Sequence, residues 1–192
     1  MSFLSYIKSK VKRRTTDKFG PKMLTRLQHN GVQLKDVRIS ESTVLSCPKQ
    51  LNLEHNIFIG HYNFIEASNG ITIEEGVQIT NYISILSHSS HISIRLYGAD
   101  YRKHKELIGY KKGTVHIGKY SFIGPHATIM PGTKIGKGCL IAAYSFVKGD
   151  FPDFSIIGGN PASVVGTTKD LDKDYLEQYP ELQKFYSEWA DR

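Results

Sequence analysis

The chain has 192 residues, enough for one well-buried domain with short appendages and too few for two ordinary domains. A composition of 40% hydrophobic and 22% charged residues excludes a disordered chain, no run approaches the ~18 apolar residues of a membrane span, and Cys47 and Cys139, outside any CxxC spacing, exclude a disulfide framework. The net charge of +7 favours polyanionic partners without choosing among nucleic acid, membrane and cofactor phosphate.

In chain order, residues 1–34 form a basic segment. Phe3, Leu4, Tyr6, Ile7 and Val11 alternate with Lys8, Lys10, Lys12, Arg13 and Arg14, a pattern that predicts an amphipathic helix. Such a helix either caps the domain that follows or rests on an anionic membrane surface. The segment lacks the long apolar core of a signal peptide, so a cytoplasmic protein is expected. No zinc-finger spacing or RNA-recognition signature accompanies the basic run, and nucleic acid is not an expected partner.

From about residue 35 an aliphatic side chain recurs every six positions. Ile39 and Leu45 begin the series, Leu53, Ile59 and Ile65 continue it, then Ile73, Ile79 and Ile85, and finally an unbroken run of Ile117, Ile123, Ile129, Ile135, Ile141 and Val147. Two steps of eight, from 45 to 53 and from 65 to 73, read as two-residue insertions at corners. A period of six fits neither a helix nor a long alternating strand; it suits a chain that makes a short strand, turns, and makes another. Three such units close a coil of about 18 residues whose aliphatic side chains point to a common axis. Residues 35–166 therefore predict an all-β solenoid of about five coils, and Gly118, Gly124, Gly136 and Ala142, following the aliphatic position, are expected to permit tight corners. Residues 86–114 interrupt the period with a long loop that begins with His88 and His91. Residues 167–192 predict two short helices broken at Pro180, with Leu182, Phe185, Tyr186 and Trp189 on one face.

The Ile-Gly-x-x-Ser/Ala units between 115 and 148, and the close at Gly158, Gly159, Asn160, Pro161 and Ala162, resemble the hexapeptide-repeat acyltransferase superfamily, and within it the sugar and polysaccharide O-acetyltransferases. The resemblance implies a left-handed parallel β-helix, a homotrimer, and acetyl-CoA as acyl donor to a sugar or polysaccharide hydroxyl, without a metal. In such enzymes a histidine at the start of an inserted loop serves as general base. A hydroxyl is scarcely ionised near neutrality, and imidazole has the pKa to take its proton during attack. Ile85-Leu-Ser-His88 is similar to the Ile-Leu-Thr-His sequence of the sugar enzymes and points to His88; His91, six residues past Ile85, is the alternative.

Carried over in the same way, Gly124 and Ala143 offer backbone contacts to the cofactor, Lys148 meets its phosphates or adenine, and Asn160 lies in the closing turn. Pro125 departs from the pattern, because it stands where relatives often offer a backbone N–H to the thioester oxyanion and proline has none. Tyr82 is expected to stack on the acceptor sugar and Arg95 to meet an acidic acceptor. A related branch with this fold holds zinc through three histidines, two of them five apart; here His88 and His91 are three apart and His116 and His126 ten apart, so no metal is expected. Two further readings stand beside the leading one: N-acetylation of an amino sugar or small molecule, and a non-catalytic solenoid scaffold.

Overall fold

The computed structural model describes residues 20–25, 27–29 and 31–191. Short strands follow one another around three faces. On the first face, Arg38–Ser40, Phe58–Ile59, Gln78–Ile79, Phe122–Ile123, Leu140–Ile141 and Ser155–Gly159 pair in parallel in that order. The second face stacks Val44–Ser46, Phe64–Glu66, Ser84–Leu86, Thr128–Ile129 and Phe146–Val147, and the third stacks Leu51–Leu53, Ile71–Ile73, Val115–Ile117, Lys134–Ile135 and Asp150–Phe151. Each circuit visits the faces in turn, which makes a three-sided parallel β-helix with a final strand on the first face.

The six-residue period is the period of the faces. Ile59, Ile79, Ile123, Ile141 and Ile157 align in register along the first, Ile65, Ile85, Ile129 and Val147 along the second, and Ile73, Ile117 and Ile135 along the third, all fully buried. Burying each of these side chains contributes roughly 1.5–3 kcal/mol. Two positions earlier in the repeat a second residue turns inward, and in the later coils it is small and polar. Ser121, Thr133, Ser145 and Ser155 are buried there, and Thr133, Ser145 and Ser155 donate their hydroxyls to the carbonyls of Met130, Ala142 and Pro152, at 2.7 Å each, across the corner turn. A buried hydroxyl bonded in this way leaves no unsatisfied group.

Gly118 and Gly124 are required for a different reason than corner geometry. A Cβ on Gly118 would lie 2.6 Å from the Gly136 carbonyl carbon, and one on Gly124 2.7 Å from the Ile141 oxygen, so it is the backbone of the next coil that excludes a side chain. The left-handed backbone conformation falls two residues later, at Tyr120 and His126 with φ of 54° and 61°.

Every irregularity of the repeat lies on one edge of the prism, where the chain passes from the second face to the third. The two eight-residue steps place residues 46–50 and 66–70 there, and residues 86–114 leave the same edge one coil further on. This insertion opens with the strand His88–Ser89, paired antiparallel to Lys111–Lys112, and holds helix α1 (Ser93–Tyr97) followed by a turn of 3-10 helix.

The ends differ from each other. The expected basic helix over residues 2–29 falls mostly outside the described residues. Those described before residue 35 are extended: Met23–Leu24 runs antiparallel to Arg38–Ser40, and Gln28–His29 forms a hairpin with Val32–Gln33. The boundary of the helical segment expected at residue 34 is corrected accordingly. Pairing to the first coil satisfies this backbone, and Leu34 and Val37 are already in the core. At the other end Ala162–Thr167 folds back antiparallel on Ser155–Gly159, and helices α2 (Thr168–Gln178) and α3 (Gln183–Ala190) follow, separated at Pro180. Trp189 of α3 reaches the edge between the third and first faces. Successive coils place Gly76, Tyr120, Gly138 and Phe154 there, and the indole lies 4.8 Å from the Tyr120 ring and 5.8 Å from the Phe154 ring. It fills the gap that Gly138 leaves, since a Cβ at 138 would come within 3.0 Å of it. No helix among the described residues is long and apolar enough to cross a membrane.

Candidate active site

The irregular edge gathers the reactive groups. Leu86 lies opposite Glu66 in the parallel register, which sets the next residues of one coil, Ser87 and His88, above the turn of the coil before. His88 Nδ1 lies 2.6 Å from Glu66 Oε2 and 3.1 Å from Ser68 Oγ. Its imidazole stacks on Tyr110, with centroids 5.3 Å apart and planes within 9°. Glu66 is buried, 6% exposed, and accepts further bonds from the Ser68 backbone N–H at 3.0 Å and the Ser87 hydroxyl at 3.0 Å.

Burial pushes the Glu66 carboxyl up, but the hydrogen bonds from Ser68, Ser87 and His88 outweigh it and hold the pKa below its ordinary value near 4.5. Glu66 is therefore ionised at neutral pH. An ionised carboxylate facing Nδ1 assigns the ring proton to that nitrogen and leaves a lone pair on Nε2. Nε2 has no partner among the described residues.

A depressed carboxylate pKa also sets a pH dependence. The native state holds Glu66 ionised more readily than the unfolded chain does, so its stabilisation is complete above the unfolded pKa and is lost as pH falls through the folded one. The stability gap between the protein and its Glu66→Gln variant is expected to be constant at neutral pH and to shrink below about pH 4.5, read from denaturation midpoints at a series of pH values. A gap that widens on acidification would contradict the ionised assignment.

Glu66 was not among the residues expected from sequence. Its position gave little signal: the residue after the aliphatic one is small at Gly118, Gly124, Gly136 and Ala142, but it is a carboxylate at Glu54 and Glu74 as well as at Glu66. His91, the alternative base, is exposed; its Nδ1 meets Ser89 Oγ at 2.8 Å and its carbonyl accepts from Arg95 Nη1, so Arg95 is engaged within the loop. Tyr82 stands at the opposite end of the strand Ser84–Leu86 from His88. There it stacks between Tyr62 and His126, and Tyr144 extends the column, at 4.7–5.2 Å between centroids.

The expected cofactor residues divide between two edges. Gly124, Ala143 and Asn160 follow successive strands of the first face and line the edge on which Tyr82 lies. Gly124 is buried and its N–H donates to the Ile141 oxygen at 2.8 Å, while the Ala143 N–H makes no hydrogen bond among the described residues. Asn160 is exposed at the tip of the final hairpin. Lys148 is exposed on the edge that carries His88, two coils further along. His116 pairs with Glu74 at 3.2 Å and His126 belongs to the ring column. Among the described residues no three His, Cys, Asp or Glu side chains converge as a metal site.

An open cleft of about 690 Å³ adjoins His88, lined by Ser68, Asn69, Tyr101, Lys105, Glu106, Leu107, Tyr110 and Lys112. Burial pushes the Tyr110 phenol up, with the charges of Tyr101 and Glu66 adding to it, so it is a protonated donor at neutral pH.

The chain is similar to known proteins in sequence and in fold. Residues 114–149 match the family described as bacterial transferase hexapeptide (six repeats). A putative acetyltransferase of Bacillus subtilis, YvoF, is 38% identical over 76 residues, covering 39% of this chain and 44% of that protein. A probable acetyltransferase of Mycobacterium tuberculosis is 30% identical over 131 residues, covering 60% of this chain and 44% of its own length. The chain thus spans less than half the length of these curated relatives. Among solved structures, the N-acyltransferase AntD of Bacillus cereus, in complex with dTDP and 3-hydroxybutyryl-CoA, is similar in fold with a TM-score of 0.57 at 19% identity, covering 76% of this chain and 89% of that one.

Proposed function

Since residues 114–149 match the bacterial transferase hexapeptide family, we propose that the chain is an acetyl-CoA-dependent O-acetyltransferase acting on a sugar hydroxyl, with His88 as general base and Glu66 orienting it. The observation that carries this reading is the pair itself: a buried carboxylate fixes Nδ1 and leaves Nε2 unbonded among the described residues, beside a cleft whose Ser68 and Tyr110 touch the ring. In the reaction Nε2 takes the acceptor's hydroxyl proton as its oxygen attacks the thioester carbonyl. The C–S bond then breaks, and the proton passes to the departing CoA thiolate. The coils are read as left-handed, in keeping with the hexapeptide family, and a soluble donor of this kind suits a cytoplasmic protein. Residues 35–166 serve as the catalytic domain, with 86–114 as its acceptor loop and 167–192 as a helical extension.

Acetyl-CoA fits the chemistry of the first edge. The unbonded Ala143 N–H replaces the donor that Pro125 cannot supply, either to a pantetheine amide or to the thioester oxygen. In one chain this edge lies across the second face from His88, and Tyr82 to His88 spans up to roughly 20 Å. Two copies side by side would bring the first edge of one against the His88 edge of the other, which supports a homotrimer with its active sites between subunits. Lys148, on the His88 edge, would then face the cofactor from the second copy.

Acetyl-CoA binding tests the reading directly. A ligand held only by the native state raises the melting temperature, by about 2.7 kcal/mol of added stability at a hundredfold excess over Kd. Millimolar acetyl-CoA is expected to shift the melting curve upward; an unmoved curve removes the donor assignment and leaves a scaffold.

A further inference from the structure

The cleft beside His88 has a charge that the transfer reaction itself does not call for. Residues 86–114 carry Arg95, Arg102, Lys103, Lys105, Lys111 and Lys112 against only Asp100 and Glu106. Of these, Lys103 pairs with Asp100 at 2.5 Å, and neither Lys105 nor Lys112 has an ion pair among the described residues. Both line the cleft, with Glu106 as its one carboxylate, so the lining keeps a surplus of cation.

Lys112 is also fixed in direction. It lies directly opposite His88 in the antiparallel pair His88–Ser89 with Lys111–Lys112, and opposed residues of such a pair project to the same side. Its ammonium stands 5.6 Å from the centre of the Tyr110 ring, the ring that stacks on the His88 imidazole. Ser68 and Tyr110, two residues of the lining, touch the imidazole alongside Glu66. A molecule that fills the cleft therefore lies against the two neighbours of the base at one end and against the lysines at another. Asn69, Ser68 and the protonated Tyr110 phenol offer neutral hydrogen bonds between these ends, and the Tyr101 and Tyr110 rings offer apolar surface to a pyranose.

We propose that this cleft takes an acceptor sugar bearing an anionic group, a phosphate ester or a carboxylate, held between the ammonium groups of Lys105 and Lys112 while the reacting hydroxyl meets His88. The proposal rests on the acetyltransferase reading for the role of His88, and not for the lysines. Charge-assisted bonds to an oxyanion are stronger than those to a neutral hydroxyl. Because the cleft is open to solvent, their contribution falls with ionic strength.

The test uses the full chain and saturating CoA, which occupies the donor's phosphate subsites without turnover. Glucose, glucose 1-phosphate, UDP-glucose and glucuronate are compared by calorimetry in the protein and in a Lys105→Gln/Lys112→Gln variant. At least one anionic sugar is expected to bind about tenfold or more tightly than glucose at low salt. That preference should shrink in high salt and vanish in the variant, whose unchanged melting temperature reports that it is folded. A preference for the phosphorylated probes identifies a phosphate ester, and one for glucuronate a carboxylate; either supports the proposal. Equal binding of glucose and all anionic probes, a preference that survives in the variant, or no binding of any sugar while CoA still shifts the melting curve overturns it. Loss of the CoA shift with the sugar preference intact instead removes the donor reading and leaves this site standing.

Discussion

Replacing His88 with alanine is expected to slow acetyl transfer by roughly 10²–10⁴-fold, the usual contribution of a positioned general base. The acetyl-CoA-induced shift in melting temperature should survive, because the imidazole contributes no fold-determining contact beyond Glu66, Ser68 and Tyr110. His91→Ala should leave turnover close to the parent, since among the described residues that ring meets only Ser89 and is exposed. The measurement is release of CoA thiol with any sugar that supports turnover. If His91→Ala abolished thiol release and His88→Ala did not, the carboxylate-oriented base would be the wrong one. Should both variants retain full rates, neither His88 nor His91 takes the proton.

The largest stability effect is expected inside the aliphatic columns. Ile123 is wholly buried between Ile79 of one coil and Ile141 of the next, so its truncation opens a void that neighbouring backbones, held by parallel ladders on both sides, cannot close. Ile123→Ala is expected to cost about 2–5 kcal/mol, and to lower the melting temperature by roughly 5–20 °C for a chain of this size. Ile108 is the matched control. It lies 76% exposed on the insertion, and Ile108→Ala should change stability by less than about 0.5 kcal/mol. Equal effects at the two positions would mean that the columns do not carry the fold.

These two expectations draw on different parts of the sequence, and they differ in how readily it can be read. The columns were legible because one side chain type recurs at a fixed interval, so Ile117 to Val147 report their own geometry. The base was legible only by position, at the start of the interruption. Its partner was not, because Glu66 belongs to a different coil, and the register that joins it to Leu86 follows from an irregular corner of two extra residues. Tyr82 illustrates the opposite failure. Six residues from His88 in sequence, it is carried by an extended strand to the next edge of the prism, where it joins a column of rings. In a coil, neighbours in space are about 20 residues apart, and neighbours in sequence diverge. The irregular steps at 46–50 and 66–70, which looked like noise in the repeat, mark the same edge as the insertion and so were the strongest available pointer to the site.

The gap at Gly138 carries a consequence for the order in which the molecule is made. Coils contact their neighbours at separations of about 20 residues, so winding can proceed locally, one turn templating the next. Trp189 is different: its pocket consists of rings at Tyr120 and Phe154, on different coils, and exists only after both have been laid down and aligned. The bond from Lys137 Nζ to the Ala190 oxygen, at 2.7 Å, closes over the same place. Docking of the last helix is thus a non-local event that comes late and requires the local ones to be correct. A coil out of register would displace one wall of that slot and is expected to leave the last helix undocked.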